Sequence, residues 1–492
     1  MQIDVIAKPA ETADVIVVFA AEGKKLLGLG AALAKGLQKA MAAPAFSAKR
    51  GEIIDVLGYP EARRVVIVGV GNPKELSAIR ARKLGGKIAA HLLQVREPKA
   101  EILAGGGLGK LDDAVFLGNI ALGAKLRAYR FGKYLTQAKP GETPAEIAAL
   151  SLVTAQRATT QKIVADAEAL ATGICFARDQ VNEPPSTLWP DSFAKRLLEL
   201  KKHGVTVEIY DEAALRKMGA GGILAVAQGS QHPPRLVVLR WNGKGGKAKQ
   251  GPVALVGKGV CFDSGGLSLK RTSQMLTMKG DMGGAAAVAG AILAAALRKA
   301  KVDVVGVMGL VENMPSGSSY RPGDIVKTLA GKTMEIIDTD AEGRVTLVDS
   351  LYYAASKFSP SCILDAATLT YSVSAALGPV YAGLFANQEA LAHEVLAAGE
   401  AAGEELWRLP VNTHYLKNLK SKIADLRQVA SDDVSADAAH AAALLAEFVD
   451  GKPWAHLDIA NKEFAGKDTV ICPEGATGYG VALFDAFLRQ RE

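Results

Sequence analysis

The chain has 492 residues, 49% of them apolar and 22% charged, with 58 basic against 51 acidic side chains and a net charge of +7. That balance excludes wholesale disorder, and the scattered basic residues do not form the patch of a dedicated nucleic-acid surface. The length exceeds what one hydrophobic core usually serves, so two domains are expected.

The first 25 residues carry acids at Asp4, Glu11 and Asp14, and only Val15–Ala21 is apolar without a break; this reads as a strand, not a leader peptide. Residues 15–21, 63–71 and 113–119 (VIVVFAA, RRVVIVGVG, DAVFLGN) read as strands and 77–94 as a helix, a βα alternation that gives an α/β domain over 1–145. VGVGNP lacks the third glycine of a dinucleotide loop, and AGGGLGK lacks the Ser/Thr of a phosphate loop, so both are turns. TQAKPGETPAE, residues 136–146, is polar and Pro/Gly-bearing, as a linker is. Residues 146–176 are expected as a linker helix leading into a second domain over 177–492, and the helical pattern stops at Pro184-Pro185.

From Val205 onward, strands are predicted at 205–210, 235–241, 252–257, 302–311, 333–337, 361–370 and 454–460, with helices at 283–300 and 345–358. The fold class is therefore α/β, a smaller N-terminal domain and a larger C-terminal one with a central mixed sheet flanked by helices. Ligands of such sheets bind where loops leave the carboxyl ends of strands. The run Met282–Leu297 falls short of the about 20 residues that span a bilayer, and its Ala/Gly content suits a closely packed buried helix, so no membrane association is expected. Cys175, Cys261, Cys362 and Cys472 are far apart with no C-x-x-C, the usage of a reduced, cytoplasmic protein.

Polar residues gather at the expected strand ends. KGVCFDSGGLSLK supplies Lys258, Asp263 and Lys270; MKGDMGG supplies Asp281; DTDAEGR supplies Asp338, Asp340, Glu342 and Arg344. Alone, D-x-D-x-E is most simply a solvated acidic turn. Together with glycine pairs that let backbone approach a ligand, and with carboxylates that must be paired or metal-bound if buried, the set suits two divalent cations about 3.5–4 Å apart that activate a water. Oxygen-rich ligation suits Mn or Mg and is compatible with Zn. The seven histidines form no H-E-x-x-H, and His456, on an apolar strand, reads as a core histidine.

VGKGVCFDSGGLSLK, MKGDMGGAAAV, ENMPSGSSYRPGD, DTDAEGR, DAATLT and WAHLDIA occur in this order. Together they resemble the leucine aminopeptidase (cytosol aminopeptidase) family of two-metal exopeptidases, from about Ala177 to the C-terminus; the N-terminal third is only loosely similar. The resemblance implies that Lys258, Asp263, Asp281 and Glu342 hold one metal ion, and that Asp263, Asp340 and Glu342 hold the other. Lys258 would ligate as the neutral amine, its pKa driven down by dications and burial. Lys270 would polarise the scissile carbonyl, and Arg344 would hold a bicarbonate as proton shuttle for the attacking water. The substrate's free α-amine would bind a metal, directing attack to the first peptide bond. Met278, Thr368, Leu369 and Tyr371 would border the pocket for the first side chain. Peptides with a free N-terminus are the implied substrates, and a hexamer the implied assembly.

The chain departs from the family pattern at several positions. Asp338 stands where Asn is usual, Val345 where Leu is usual, and Tyr371 where the family has Gly. A glycine-rich stretch is replaced by ADAAH, Ala436–His440, and Asn461 replaces a Gly. These bear on side-chain preference and assembly, since every ligand position is retained. A DNA-binding or structural role on the same fold is the alternative reading, which the +7 charge permits without supporting; a two-metal phosphatase is a third.

Overall fold

In the strand Ala13–Ala21, Val15, Val17 and Phe19 turn to one face and Ile16, Val18 and Ala20 to the other, and all six are buried. An unbroken apolar strand of this kind needs cover on both faces. The structure is a computed structural model that describes all residues except 11–12, 29–30, 43–45, 61, 138–144, 246–250 and 431–434. The chain divides into two units, Met1–Ala171 with Gly466–Glu474, and Thr172–Ala465 with Gly475–Glu492.

In the first unit the sheet runs in the order Gln2–Ile6, Ala149–Val153, Lys99–Leu103, Ala13–Ala21, Ala62–Gly71 and Ile53–Tyr59, with Lys25–Leu27 also paired to Ala13–Ala21. Its pairings are parallel except those of Ile53–Tyr59 and Lys25–Leu27. The helices Ala78–Gln94 and Asp113–Arg127 pack on the face that carries Phe19. Two expectations change here. Residues 113–119 open a helix, not a strand: Asp112 caps it, accepting from the Ala114 and Val115 amides, and Phe116, Leu117, Ile120, Ala121 and Ala124 recur at helical spacing. Within the stretch expected as linker helix, Ala149–Val153 is a strand, and the helix that follows is Arg157–Asn182. Most of the expected linker 136–146 lies outside the described residues.

In the second unit eight strands run in the order Leu406–Arg408, Ala382–Ala386, Trp454–Asp458, Cys362–Ala367, Val253–Asp263, Asp303–Asn313, Arg235–Asn242 and Thr206–Tyr210. The four from Trp454–Asp458 to Asp303–Asn313 are mutually parallel, and antiparallel pairings flank them. Period-two alternation along Val253–Asp263 gives each face its own helix. Gly257 and Gly259 meet Ala285 of the helix Gly283–Leu297, while Ala254, Val256 and Val260 share a core with Val345, Val348 and Leu351 of the helix Glu342–Phe358. The run Thr272–Leu297 has the length and composition to cross a membrane, yet its most apolar part is 94% buried inside the protein. The expected strand 333–337 shortens to Thr333–Glu335 and joins a separate three-stranded sheet with Ile325–Lys327 and Leu426–Arg427. The Ile336 amide turns away to donate to Asp324 O at 2.9 Å.

Candidate metal centre

The central strand Val253–Asp263 carries Lys258 in its interior and Asp263 as its last residue. The chain then turns through Gly265 and Gly266, whose φ values of 86° and 64° suit glycine. A Cβ on Gly265 would lie 2.9 Å from Asp340 Oδ1, so the loop is pressed against the site. Lys270 closes the loop, its amide donating to Ser264 O at 2.9 Å. Asp281 follows the 3-10 turn Met278–Gly280. Asp340 lies in the 3-10 turn Thr339–Ala341, and Glu342 is the first residue of the helix Glu342–Phe358. The acidic run is therefore a tight turn entering a helix. Asp338 serves as its cap, accepting from the Asp340 amide at 2.9 Å.

These elements converge. Lys258 Nζ lies 2.7 Å from Asp281 Oδ1 and 2.9 Å from Glu342 Oε1, and donates to Thr368 O at 2.8 Å. Lys270 Nζ lies 2.8 Å from Asp263 Oδ2 and also pairs with Asp340. Ligand oxygens of Asp263, Asp340 and Glu342 fall within 4.8 Å of one another. A Cβ on Gly343 would come within 2.5 Å of Lys258 Cε, so the helix start can approach the lysine only because that residue is glycine.

Four carboxylates thus face two ammonium groups in a buried cluster. Burial raises the Asp281 carboxyl well above its ordinary range, and burial with the neighbouring Glu342 lifts Asp263 to about 7. Burial likewise raises Asp340 against the pull of Lys270. Burial presses Glu342 upward too, but Lys258 and Lys270 hold it below the usual value. Burial presses Lys258 down, and Asp281, Glu342 and Asp263 more than offset it, so the carboxylates alone keep an ammonium there. The neutral amine implied by the resemblance needs the further positive charge of dications. Asp281 Oδ2 and Glu342 Oε2 are buried without a hydrogen-bond donor. Excess carboxylate and orphaned oxygens in one cluster fit divalent cations.

A cavity of about 680 Å³ opens over the cluster, bordered among others by Met278, Thr368, Leu369, Tyr371 and Arg344. Thr368 Oγ1 donates to Asp281 Oδ1 at 2.7 Å. Tyr371 is 57% exposed, its ring centroid 5.8 Å from Lys270 Nζ. Arg344 is buried; its guanidinium donates to Gln428 O at 3.0 Å and meets Asp437 Oδ1 at 2.8 Å. His456 lies in the core, its Nδ1 2.6 Å from Asp365, which also accepts from Trp454 Nε1.

Sequence reasoning missed four contributors. Asn313 Nδ2 donates to Asp263 Oδ1 at 2.8 Å and fixes that carboxylate. Asp458 accepts from Thr370 Oγ1 and the Leu369 amide, which pulls 368–370 out of the expected strand and into the pocket wall. Glu463 lines the cavity with Oε2 buried and unbonded, and Asp437 holds Arg344. Asn313 lay inside the quoted ENMPSGS motif, Asp458 inside WAHLDIA and Asp437 inside the divergent ADAAH segment; Glu463 had no local signal.

A model described as "Cytosol aminopeptidase family, catalytic domain" matches residues 175–484, and one described as "Cytosol aminopeptidase family, N-terminal domain" matches residues 15–138. The chain belongs to the cytosol aminopeptidase family. A probable cytosol aminopeptidase of Rhodopseudomonas palustris (strain ATCC BAA-98 / CGA009) is 42% identical over 483 residues, 96% of this chain and 95% of that protein. One from Bradyrhizobium sp. (strain BTAi1 / ATCC BAA-1182) is 44% identical over 471 residues, 93% of this chain and 92% of that one. Among solved structures, the bottromycin maturation enzyme BotP in complex with Mn aligns with TM-score 0.85 at 34% identity, covering 98% of this chain and 100% of BotP. A tomato leucine aminopeptidase mutant aligns with TM-score 0.87 at 29% identity, covering 100% of this chain and 96% of that one. This member of the cytosol aminopeptidase family is thus a metal-dependent aminopeptidase of two-domain α/β architecture, as the six motifs imply. The family match also takes in the N-terminal third, where the sequence offered little. The comparisons give no support to a DNA-binding role.

Proposed function

We propose that the enzyme removes N-terminal residues from peptides with the help of two divalent ions, Mn or Zn, with Mg the further candidate. The observation that carries this reading is the buried cluster of four carboxylates and two lysines with oxygens left unbonded at Asp281 and Glu342. Lys258, Asp263, Asp281 and Glu342 are assigned to one ion, and Asp263, Asp340 and Glu342 to the other. When bound, such ions supply Lewis acidity toward a water and the scissile carbonyl.

The residues do the rest. Lys270 stays cationic because Asp263, Glu342 and Asp340 outweigh its burial, and it stabilises the oxyanion as it develops. Asn313 and Gly265 donate to Asp263 Oδ1 and hold that carboxylate in one orientation. Arg344 seats the group that carries the proton, for which the resemblance offers bicarbonate. Met278, Thr368, Leu369 and Tyr371 receive the first side chain. The resemblance further supports a cytoplasmic homohexamer.

The test is metal content by mass spectrometry joined to hydrolysis of an amino-acid p-nitroanilide panel, with and without chelator. Two ions per chain and chelator-sensitive cleavage are expected; full activity in a metal-free sample overturns the reading.

A further inference from the structure

Two of the three guanidinium nitrogens of the side chain proposed to seat an anion are already engaged by the chain itself, while Nε is buried without a partner. Arg344 is buried, with 3% side-chain exposure, and its two terminal nitrogens go to Gln428 O and Asp437 Oδ1, at 3.0 and 2.8 Å. Asp437 is the first residue of the helix Asp437–Ala446, within the segment that departs from the family pattern. That helix start is tied down. The Ala438 amide donates to Ser372 Oγ at 3.0 Å, Ser372 Oγ donates to Thr370 Oγ1 at 3.2 Å, and Thr370 Oγ1 donates to the buried Asp458 at 2.6 Å. The Asp437 side chain is 30% exposed and lines the same cavity as Asp263, Asp340 and Glu342. One carboxylate oxygen rests on Arg344, and among the described residues no donor meets the other. A carboxylate with one oxygen anchored, on a residue that borders the cavity, is the arrangement that general acid–base catalysis asks for.

We propose that Asp437, seated on Arg344, is the proton carrier of the peptidase reaction, so that turnover needs no dissociable bicarbonate; this rests on the aminopeptidase reading. As the oxygen of the attacking water bonds to the scissile carbonyl carbon, one of its protons passes to Asp437. When the C–N bond breaks, Asp437 gives that proton to the departing amine. The carboxylate is regenerated, and water is the only co-reactant.

The experiment uses the Mn-loaded enzyme and leucine p-nitroanilide in carbonate-free buffer, with and without added bicarbonate. Wild-type kcat is expected to be the same in both. Asp437→Asn, which keeps the shape but not the charge, is expected to lower kcat by roughly 10²-fold with KM and metal content little changed. In Asp437→Ala, added bicarbonate or formate is expected to restore part of kcat saturably. Calorimetric titration of bicarbonate should give no binding heat with wild type and saturable heat with Asp437→Ala. Bicarbonate stimulation or binding heat in wild type overturns the proposal, as does full kcat in Asp437→Asn. If Asp437→Ala does not fold, the Asn variant and the wild-type titration decide. If wild type cleaves none of the anilides, the aminopeptidase reading falls instead, and the titration still shows whether Arg344 is open to an anion.

Discussion

Lys270 serves Asp263 and Asp340 at once and lies under the ring of Tyr371. On the proposed reading its charge meets the substrate from a fixed position, the condition under which an oxyanion donor acts on the transition state more than on binding. Lys270→Ala should lower kcat by a factor corresponding to ~3–4 kcal/mol, with a smaller change in KM. Steady-state kinetics at matched metal content checks this, and an unchanged kcat would leave Lys270 a counter-ion only. Tyr371 acts differently. Half exposed and at the start of the helix Tyr371–Leu377, it borders the cavity, where a glycine would leave more room. Tyr371→Gly should raise kcat/KM for Leu, Met and Phe substrates relative to Ala by ~1–3 kcal/mol. Equal gains for all four substrates would show that the ring does not sort them.

The helix Glu342–Phe358 does two things. Its first turn brings Glu342 and Arg344 to the site, and its middle anchors two neighbouring segments through Asp349, which accepts from the Ile223 amide at 3.1 Å and the Leu329 amide at 2.7 Å. Burial pushes the Asp349 carboxyl up to about 7 against those two hydrogen bonds. Because the folded pKa lies above the unfolded one, the folded chain holds the extra proton. The stabilising contribution is complete below the ordinary value of 3.8 and is lost as pH rises through about 7. Relative to Asp349→Asn, which does not titrate, wild type should lose ~3 kcal/mol between pH 5 and 8. Urea unfolding of both proteins at the two pH values measures this, and a pH-independent difference would refute it. The same helix marks how far the sequence could be read. Its apolar period and the carboxylates ahead of it were legible, because both are local. The 3-10 turn at Thr339–Ala341 was not, since the Asp338 cap that makes it is equally at home in an extended loop. Nor was the placing of Thr333–Glu335, where three residues of β propensity do not say which sheet they join. In Asp113–Asn119 the β-branched and aromatic residues masked a capped helix. The Arg344–Asp437 pair spans 93 positions in the chain, and no spacing rule reaches that far.

Taken whole, the second unit folds around a site whose charges do not balance without cations. Ligands that bind only the folded chain add to its stability by mass action, ~2.7 kcal/mol for each site at a hundred times its Kd. The melting temperature should therefore rise with added Mn and fall with chelator, and calorimetric scans at several Mn concentrations test this. Asp340→Ala and Glu342→Ala should fold, lose activity and show a weaker Mn-dependent rise; an undiminished rise would place the ions elsewhere. The helix Gly283–Leu297 carries a different consequence. Every residue from Gly283 to Ala296 is buried, and its start lies against Lys258 and Ala366, whereas Tyr371 and Asn461 stand exposed at the cavity's rim. Variation is thus partitioned by position: the rim can change without disturbing the ions, and the helix can hardly change at all. A library randomised at Tyr371 and Asn461 should yield mostly metal-loaded enzymes that differ in what they cleave, while one randomised over Gly283–Ala296 should yield few folded chains of any kind.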